Sequence, residues 1–538
     1  MNPLPNLENR NARLADTLGS IAIGVALLMA LALALTSLFA AARISPDPER
    51  YKLLQINIFE ENELTNLVIV LFGIAALALI GKIPVTRKFN LAFGSSALLL
   101  LGVFGLVWVL SVNAKAESDG DVLIKIASRI IAGDYATIAT KGEYLHYYLV
   151  RFPYQCGLLA ALEPLVRLFG ETGALLAARV LNVCLLISSY AALLMTTDRV
   201  FHNERITFVT ILLLCVCVQP LIACTFVYGL IPALALCIWG VYFAIRFLQD
   251  EKWVHMIPAA VLFALAALVR SNAWIVIVAV VIVLLLSALR KKAWLPGLFA
   301  VVMVAVSIPL PFLAQRGYEA KLNTSFGSGY PKSYWTAMSL QSGWKASGWH
   351  VFEYQAMMEK TYGEDVAGID RQAKSDIQKG LTELVKNPSE MKTYLFEKMV
   401  SQWNEPTFMS VWITKSVDPY AQPGALTKLV YSDSFDTLFR FAEGRLVKVL
   451  YFGFMLCAAA MFRKRTEEQL LLPLILLGGV LFHMIFEAKS QYVLEYLPLF
   501  APVAAYGILS LSACVEPALH RMIHKNKNTK STGKEIVE

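Results

Sequence analysis

The 538-residue sequence predicts an all-α polytopic membrane protein with about twelve transmembrane helices. Three observations carry the prediction. Hydrophobic residues make up 57% of the chain and charged residues 16%, where a soluble domain carries about 25% charged. Mean hydropathy is +0.56. Apolar runs of about 18 residues or more, long enough to span a bilayer, recur from end to end. A soluble enzyme, a disordered chain, a fibrous protein and a small disulfide scaffold are excluded.

Spans are expected near 19–41, 64–81, 91–112, 172–195, 206–223, 226–246, 255–270, 272–289, 294–314, 446–462, 469–486 and 493–513. Two tight pairs, 206–246 and 255–289, can each be read instead as one span plus a re-entrant piece. The first apolar run follows about 18 polar residues and is too long for the core of a signal peptide, so it reads as a retained helix. Basic residues then set the orientation. With the N-terminus inside, every inner connection is basic: Lys82 to Lys88, Arg199 and Arg205, Arg246 and Lys252, Arg290 to Lys292, and Arg463 to Arg465. This positive-inside pattern puts both termini in the cytoplasm of a plasma (inner) membrane. It also accounts for the net charge of +8 without nucleic acid. Most of the eight cysteines fall in apolar runs and form no disulfide framework or CxxC site. No HExxH, P-loop or GxGxxG occurs, which disfavours a zinc site and a nucleotide-driven pump.

The chain divides into an N-terminal transmembrane module (1–314), an extracytoplasmic domain (315–445), C-terminal transmembrane helices (446–513) and a basic cytoplasmic tail (514–538). Segments 113–171 and 315–445 are too long to be mere links. Segment 315–445 reads as mixed and mostly helical. Within 113–171, DVLIKIASRIIAG places Leu123, Ile126, Ala127 and Ile130 on one stripe, with Lys125, Ser128 and Arg129 off it. That spacing predicts an amphipathic helix lying on the membrane, ended by Gly133. A second short helix is expected near 155–169, with Glu163 and Arg167 at i, i+4.

The acidic stretch Glu117-Ser118-Asp119-Gly120-Asp121 follows the third span. Asp119 and Asp121 can together hold a divalent cation (Mg or Mn), or one can act as a general base. Either can equally cap the helix that follows. Arg270, in LVRSNAW, sits at the outer end of a span, where a charge is costly unless it is functional or snorkels. Lys489, before the last span, poses the same choice. Arg151 lies beside Tyr147, Tyr148 and Tyr154, and can bind phosphate, pair with Glu143 or sit at the headgroups. His146 can assist proton transfer or be an ordinary exposed interfacial histidine. The tyrosines can form an interfacial belt or a sugar platform.

These features together resemble the GT-C glycosyltransferases, in particular the protein O-mannosyltransferase and aminoarabinose-transferase branch and related bacterial membrane glycosyltransferases. In that branch an acidic motif opens the first large outer loop and a helix ends in Gly-Asp-aromatic. Here the stretch reads DGDVLIKIASRIIAGDY, Asp119 to Tyr135. Asp119 stands at the spacing of the family's catalytic Asp. Gly120, rather than an acid, follows it, which leaves Asp119 or Asp121 as the base. YLHYYLVRFPYQCG, Tyr144 to Gly157, resembles the family's tyrosine-rich stretch, and implies Tyr144, His146, Tyr154 and Gln155 as sugar or acceptor contacts. In FEAKSQYVLEYLPLF, Gln491-Tyr492 stands where an Arg-Tyr pair is usual, with Lys489 the nearest cation. Arg270, Lys489, Arg151, Gln491 and Tyr492 are therefore the candidates for the donor's lipid phosphate.

The resemblance implies an inverting transferase with an Asp general base and an extracytoplasmic site. It would move a sugar from a polyprenyl-phosphate donor to an envelope glycan, lipid or protein acceptor. No soluble cofactor is required. The rival readings are a transporter or flippase of a lipid-linked saccharide and a non-catalytic scaffold of envelope assembly.

Overall fold

A computed structural model of the protein describes residues 7–46, 54–112, 118–414 and 424–532. Glu117 and the last six residues of the basic tail lie outside the described residues. Ten described helices are long and apolar enough to cross a membrane. A further pair, Glu204–Val216 and Gln219–Thr225, is bent by 47° at its break. Helix Met256–Val269 is shorter, at 14 residues. With these two, all twelve expected positions are helical. The irregular pieces fall in the two tight pairs, where a re-entrant reading was open. Pro220, in the first turn after the break, fits there because it has no N–H to leave unsatisfied.

Close helix crossings hold the last spans together. A Cβ on Gly507 would lie 2.2 Å from the Gly453 carbonyl oxygen, and one on Gly453 would lie 2.4 Å from the Ala504 Cβ. Helices Asp433–Arg463 and Leu497–Thr532 therefore meet backbone to backbone, as small residues allow in membranes. Gly507→Val is expected to lower the unfolding temperature in detergent, read by light scattering, because overpacking costs about 1–3 kcal/mol or more. An unchanged temperature would mean that the helices can part without cost.

The described part of 315–445 is helical: Lys332–Ser339, Phe352–Tyr362, Val366–Lys386 and Pro388–Trp403 are its main pieces. A two-stranded hairpin that the sequence reading did not anticipate joins it. Strands Ala40–Pro46 and Leu54–Glu60 pair antiparallel directly after the first span. The Ala42 N–H donates to the Asn404 carbonyl at 3.1 Å, and Asn404 Nδ2 donates to the Ala40 carbonyl at 3.2 Å. Ala40, Ala42 and Ile44 are buried with Trp349 and Val400. The first strand runs on from an apolar span without a polar break, so composition alone hides it.

Helix Ser118–Ala132 buries Leu123, Ile126, Ala127 and Ile130, and exposes Lys125 and Arg129. It ends at Gly133, whose φ of +75° is left-handed. The buried stripe packs on Leu158, Leu159, Leu162, Tyr318 and Leu322. The apolar face of this helix is covered by protein. Periodicity reports that a face needs cover, not what covers it. The expected helix near 155–169 is the first limb of Cys156–Phe201, which bends at Gly170. Its Glu163 accepts from Arg167 at 2.9 Å, Lys321 at 2.9 Å and the Tyr318 hydroxyl at 2.8 Å.

Candidate functional site

Asp119 occupies the first turn of helix Ser118–Ala132. Gln155, just before the bent helix, donates from Nε2 to Asp119 Oδ2 at 3.0 Å. The hydroxyls of Tyr148 and Tyr228 also act on the carboxylate. A Cβ on Gly120 would lie 2.2 Å from the Val227 carbonyl oxygen. A side chain there would push the helix start off segment 227–229 and carry Asp119 with it. The glycine after the candidate base thus has a steric reason. Asp121 has a different partner, Lys125 at 2.7 Å on a half-exposed side. The two carboxylates therefore face different neighbours. Among the described residues no three His, Cys, Asp or Glu side chains converge on one point.

Two cations complete the site. Arg270 lies between helices Met256–Val269 and Ala273–Lys291. Its Nε is 3.4 Å from Glu495 Oε2, and both side chains are only 10% exposed. Its guanidinium stands 4.9 Å from the Tyr228 ring centroid and 5.8 Å from that of Tyr492. Lys489, ahead of the last span, has Nζ 3.2 Å from Glu487 Oε1 and 5.4 Å from the same Tyr492 ring. Arg270 turns inward to an acid, unlike a snorkelling side chain, which reaches for water.

Burial pushes the Asp119 carboxyl above its ordinary range; the tyrosine hydroxyls, Lys489 and Arg270 pull it back only in part. At Lys489 burial works against the ammonium and Glu487 works for it, with an upward balance. Asp119, Gln155, Arg270, Lys489 and Tyr492 are thus gathered in one place from four distant stretches of chain. Tyr154 belongs to the same neighbourhood, acting electrically on Tyr228 and Asp119. It still keeps 43% of its surface open. A small, mostly apolar cavity of about 20 Å³ lies between the spans, lined by Asn272, Glu495 and Tyr496 beside Cys237, Val276 and Leu499.

Other candidates are placed elsewhere. Arg151 pairs with Glu359 at 2.6 Å and stacks 3.5 Å over Tyr147; it ties the 144–155 segment to the 315–445 domain, and its acid is not Glu143. Tyr144 is 66% exposed. His146 is buried, with Nδ1 2.9 Å from the Ile138 carbonyl oxygen. It is therefore not the exposed interfacial histidine the sequence allowed. Gln491 is buried in the short helix Ser490–Val493. Sequence reasoning missed Glu487, Glu495 and Tyr228. Glu495 did leave a signal: it is a lone acid at the head of an apolar run, which is costly in a membrane unless paired.

Neither a family model nor a curated protein matches the chain. Among solved structures it is similar to the crystal structure of ArnT from Cupriavidus metallidurans bound to undecaprenyl phosphate. Identity is 13%, 80% of each chain is covered, and the TM-score is 0.33. A superposition that loose aligns no individual side chains.

Proposed function

We propose that the protein is an inverting glycosyltransferase that takes a sugar from a polyprenyl-phosphate donor, with Asp119 as general base. The observation that carries the reading is the gathering of the Asp119 carboxylate and two cations, Arg270 and Lys489, around the Tyr228 and Tyr492 rings. The motifs from Asp119 to Tyr135 and from Phe486 to Phe500 support it. The donor phosphate would reach Arg270 and Lys489 through charge-assisted hydrogen bonds. The acceptor hydroxyl attacks the anomeric carbon and its proton passes to Asp119. The bond from that carbon to the phosphate oxygen breaks, and polyprenyl phosphate leaves with the electron pair. The cations meet charge as it develops on that oxygen, which is where fixed positive groups lower a barrier most.

Glu487 and Glu495 keep the two cations in position before the donor arrives. The acceptor would enter beneath the 315–445 domain. Asp121, held by Lys125, is left to help start the helix.

The test supplies purified protein with labelled polyprenyl-phosphate sugars and an envelope extract. Label moving to an acceptor fraction with release of polyprenyl phosphate supports the reading. No transfer from any donor would overturn it.

The orientation that goes with this reading follows the basic connections: both termini cytoplasmic, and the 113–171 and 315–445 segments outside. With an impermeant thiol reagent added outside, Asp370→Cys should label and Lys292→Cys should not. The reverse pattern would put the site on the wrong face for an extracytoplasmic donor.

A further inference from the structure

Next to the donor cations, one glutamate acts on three lysines. Glu487 is paired with Lys489 and acts electrically on Lys345 and Lys398. A main-chain joint brings them together: the Ala488 N–H donates to the Gly348 carbonyl at 2.7 Å, and Ala488 bridges Trp349 as a parallel β-pair. Lys398 is fully buried and its ammonium donates to the Tyr394 hydroxyl at 3.1 Å. Lys345 donates to the His350 carbonyl at 3.2 Å. Neither lysine has a carboxylate within ion-pair distance among the described residues.

Burial lowers both amines, Lys345 to about 8, with Lys489 adding to the effect, and Lys398 to about 7. His350 lies beside Gln355, and burial lowers its imidazole to about 4, which keeps it neutral. Glu487 and Glu353 act on Lys345 only from beyond ion-pair distance and do not offset its burial; a desolvated cation without a close counter-charge is costly. Lys398 is sealed and cannot receive one from outside. Lys345 is partly open. Its ammonium stands 5.0 Å from the Trp344 ring centroid and 4.4 Å from that of Phe352, which is itself 43% exposed.

We infer that Lys345, His350 and the rings of Trp344 and Phe352 form a subsite for the acceptor, and that the acceptor is a saccharide bearing a phosphate or carboxylate. The inference rests on the glycosyl-transfer reading for the word acceptor. The anion supplies a close negative charge for Lys345, the neutral His350 ring accepts a hydrogen bond from a sugar hydroxyl, and the exposed ring covers an apolar sugar face. The joint between Gly348 and Ala488 fixes this subsite next to Lys489, and so next to the donor phosphate and Asp119.

The test uses the full chain in lipid nanodiscs and two probes: glucose 6-phosphate, with glucose as neutral control, and undecaprenyl phosphate. Glucose 6-phosphate should bind wild type more tightly than glucose. Lys345→Gln should weaken it about tenfold, the order expected for one charge-assisted hydrogen bond, and Lys345→Arg should restore most of that loss. Undecaprenyl phosphate should bind Lys345→Gln as it binds wild type. The Lys345→Gln protein should unfold at about the wild-type temperature, since Gln can keep the hydrogen bond to the His350 carbonyl. Unchanged glucose 6-phosphate binding in Lys345→Gln, or none to wild type, overturns the subsite. A matching loss for undecaprenyl phosphate overturns it too, and assigns the lysine to the donor. If undecaprenyl phosphate fails to bind wild type while glucose 6-phosphate still depends on Lys345, the donor reading falls and the anion subsite stands.

Discussion

Asp119→Asn is expected to abolish transfer and leave the protein folded. Removing a positioned general base costs about 10²–10⁴-fold in rate. Asn keeps the shape, its carbonyl oxygen can still accept from Gln155, and it caps a helix nearly as well as Asp. A folded, inactive variant therefore separates catalysis from capping. The carboxyl pKa gives a second measurement. Burial holds the Asp119 pKa above its ordinary value of 3.8 in the folded protein, so the folded state binds that proton more tightly than the unfolded state does. Ionised Asp119 thus opposes folding above its folded pKa, and this cost vanishes below the ordinary value. Asp119→Asn should consequently match or exceed wild-type stability at neutral pH and lose that advantage in acid. The acid limb of the activity profile should likewise fall at higher pH than an ordinary aspartate would give. Full activity in Asp119→Asn with loss in Asp121→Asn would move the base to Asp121.

Removing either donor cation should weaken donor binding by roughly ten- to a hundredfold, since a hydrogen bond to a charged group is worth about 1.5–3 kcal/mol. The conservative swaps are more informative. Arg270 presents a planar fork wedged between Glu495 and two tyrosine rings. A lysine there keeps the charge and loses the fork, so Arg270→Lys should weaken undecaprenyl phosphate more than Lys489→Arg does. Equal and negligible effects from both swaps would mean that neither side chain reaches the phosphate. Glu495→Gln is the companion variant. It leaves a buried guanidinium without its acid, a change that costs about 3–5 kcal/mol when nothing replaces the lost partner. Added undecaprenyl phosphate should recover part of that loss as a higher unfolding temperature.

The helical architecture was readable because bilayer spans demand long apolar runs, and the run lengths survive any detail of packing. Single side chains were readable where they broke that rule. Arg270 interrupts an apolar run, and Asp119 and Lys489 stand where spans end. The structure sets these three around the Tyr492 and Tyr228 rings, although they are far apart in sequence. Their partners were not readable. Gln155, Glu487 and Glu495 carry no local pattern that names Asp119, Lys489 and Arg270 as neighbours, because pairing across helices depends on the fold. Gly120 departs from the acidic motif because a side chain there would collide with the Val227 carbonyl, a contact that no local pattern announces. The hairpin at 40–60 escaped for a related reason: its first strand continues an apolar span. His146 was misjudged because a polar side chain in an amphipathic segment can turn to either face.

The β-pair between Trp349 and Ala488 bears on how freely this protein can be recombined. It is one residue long, yet it locks the register of Glu487 and Lys489 to a loop of the 315–445 domain. The domain is therefore not an interchangeable head on a fixed transmembrane engine. A chimera that imports a foreign head would bring a foreign loop to the place where Gly348 meets Ala488, and Lys489 would shift with it. Grafts cut at the ends of 315–445 should lose the lipid-phosphate ligand as well as the acceptor preference they were meant to change. Grafts that carry residues 487–489 along with the head should keep it.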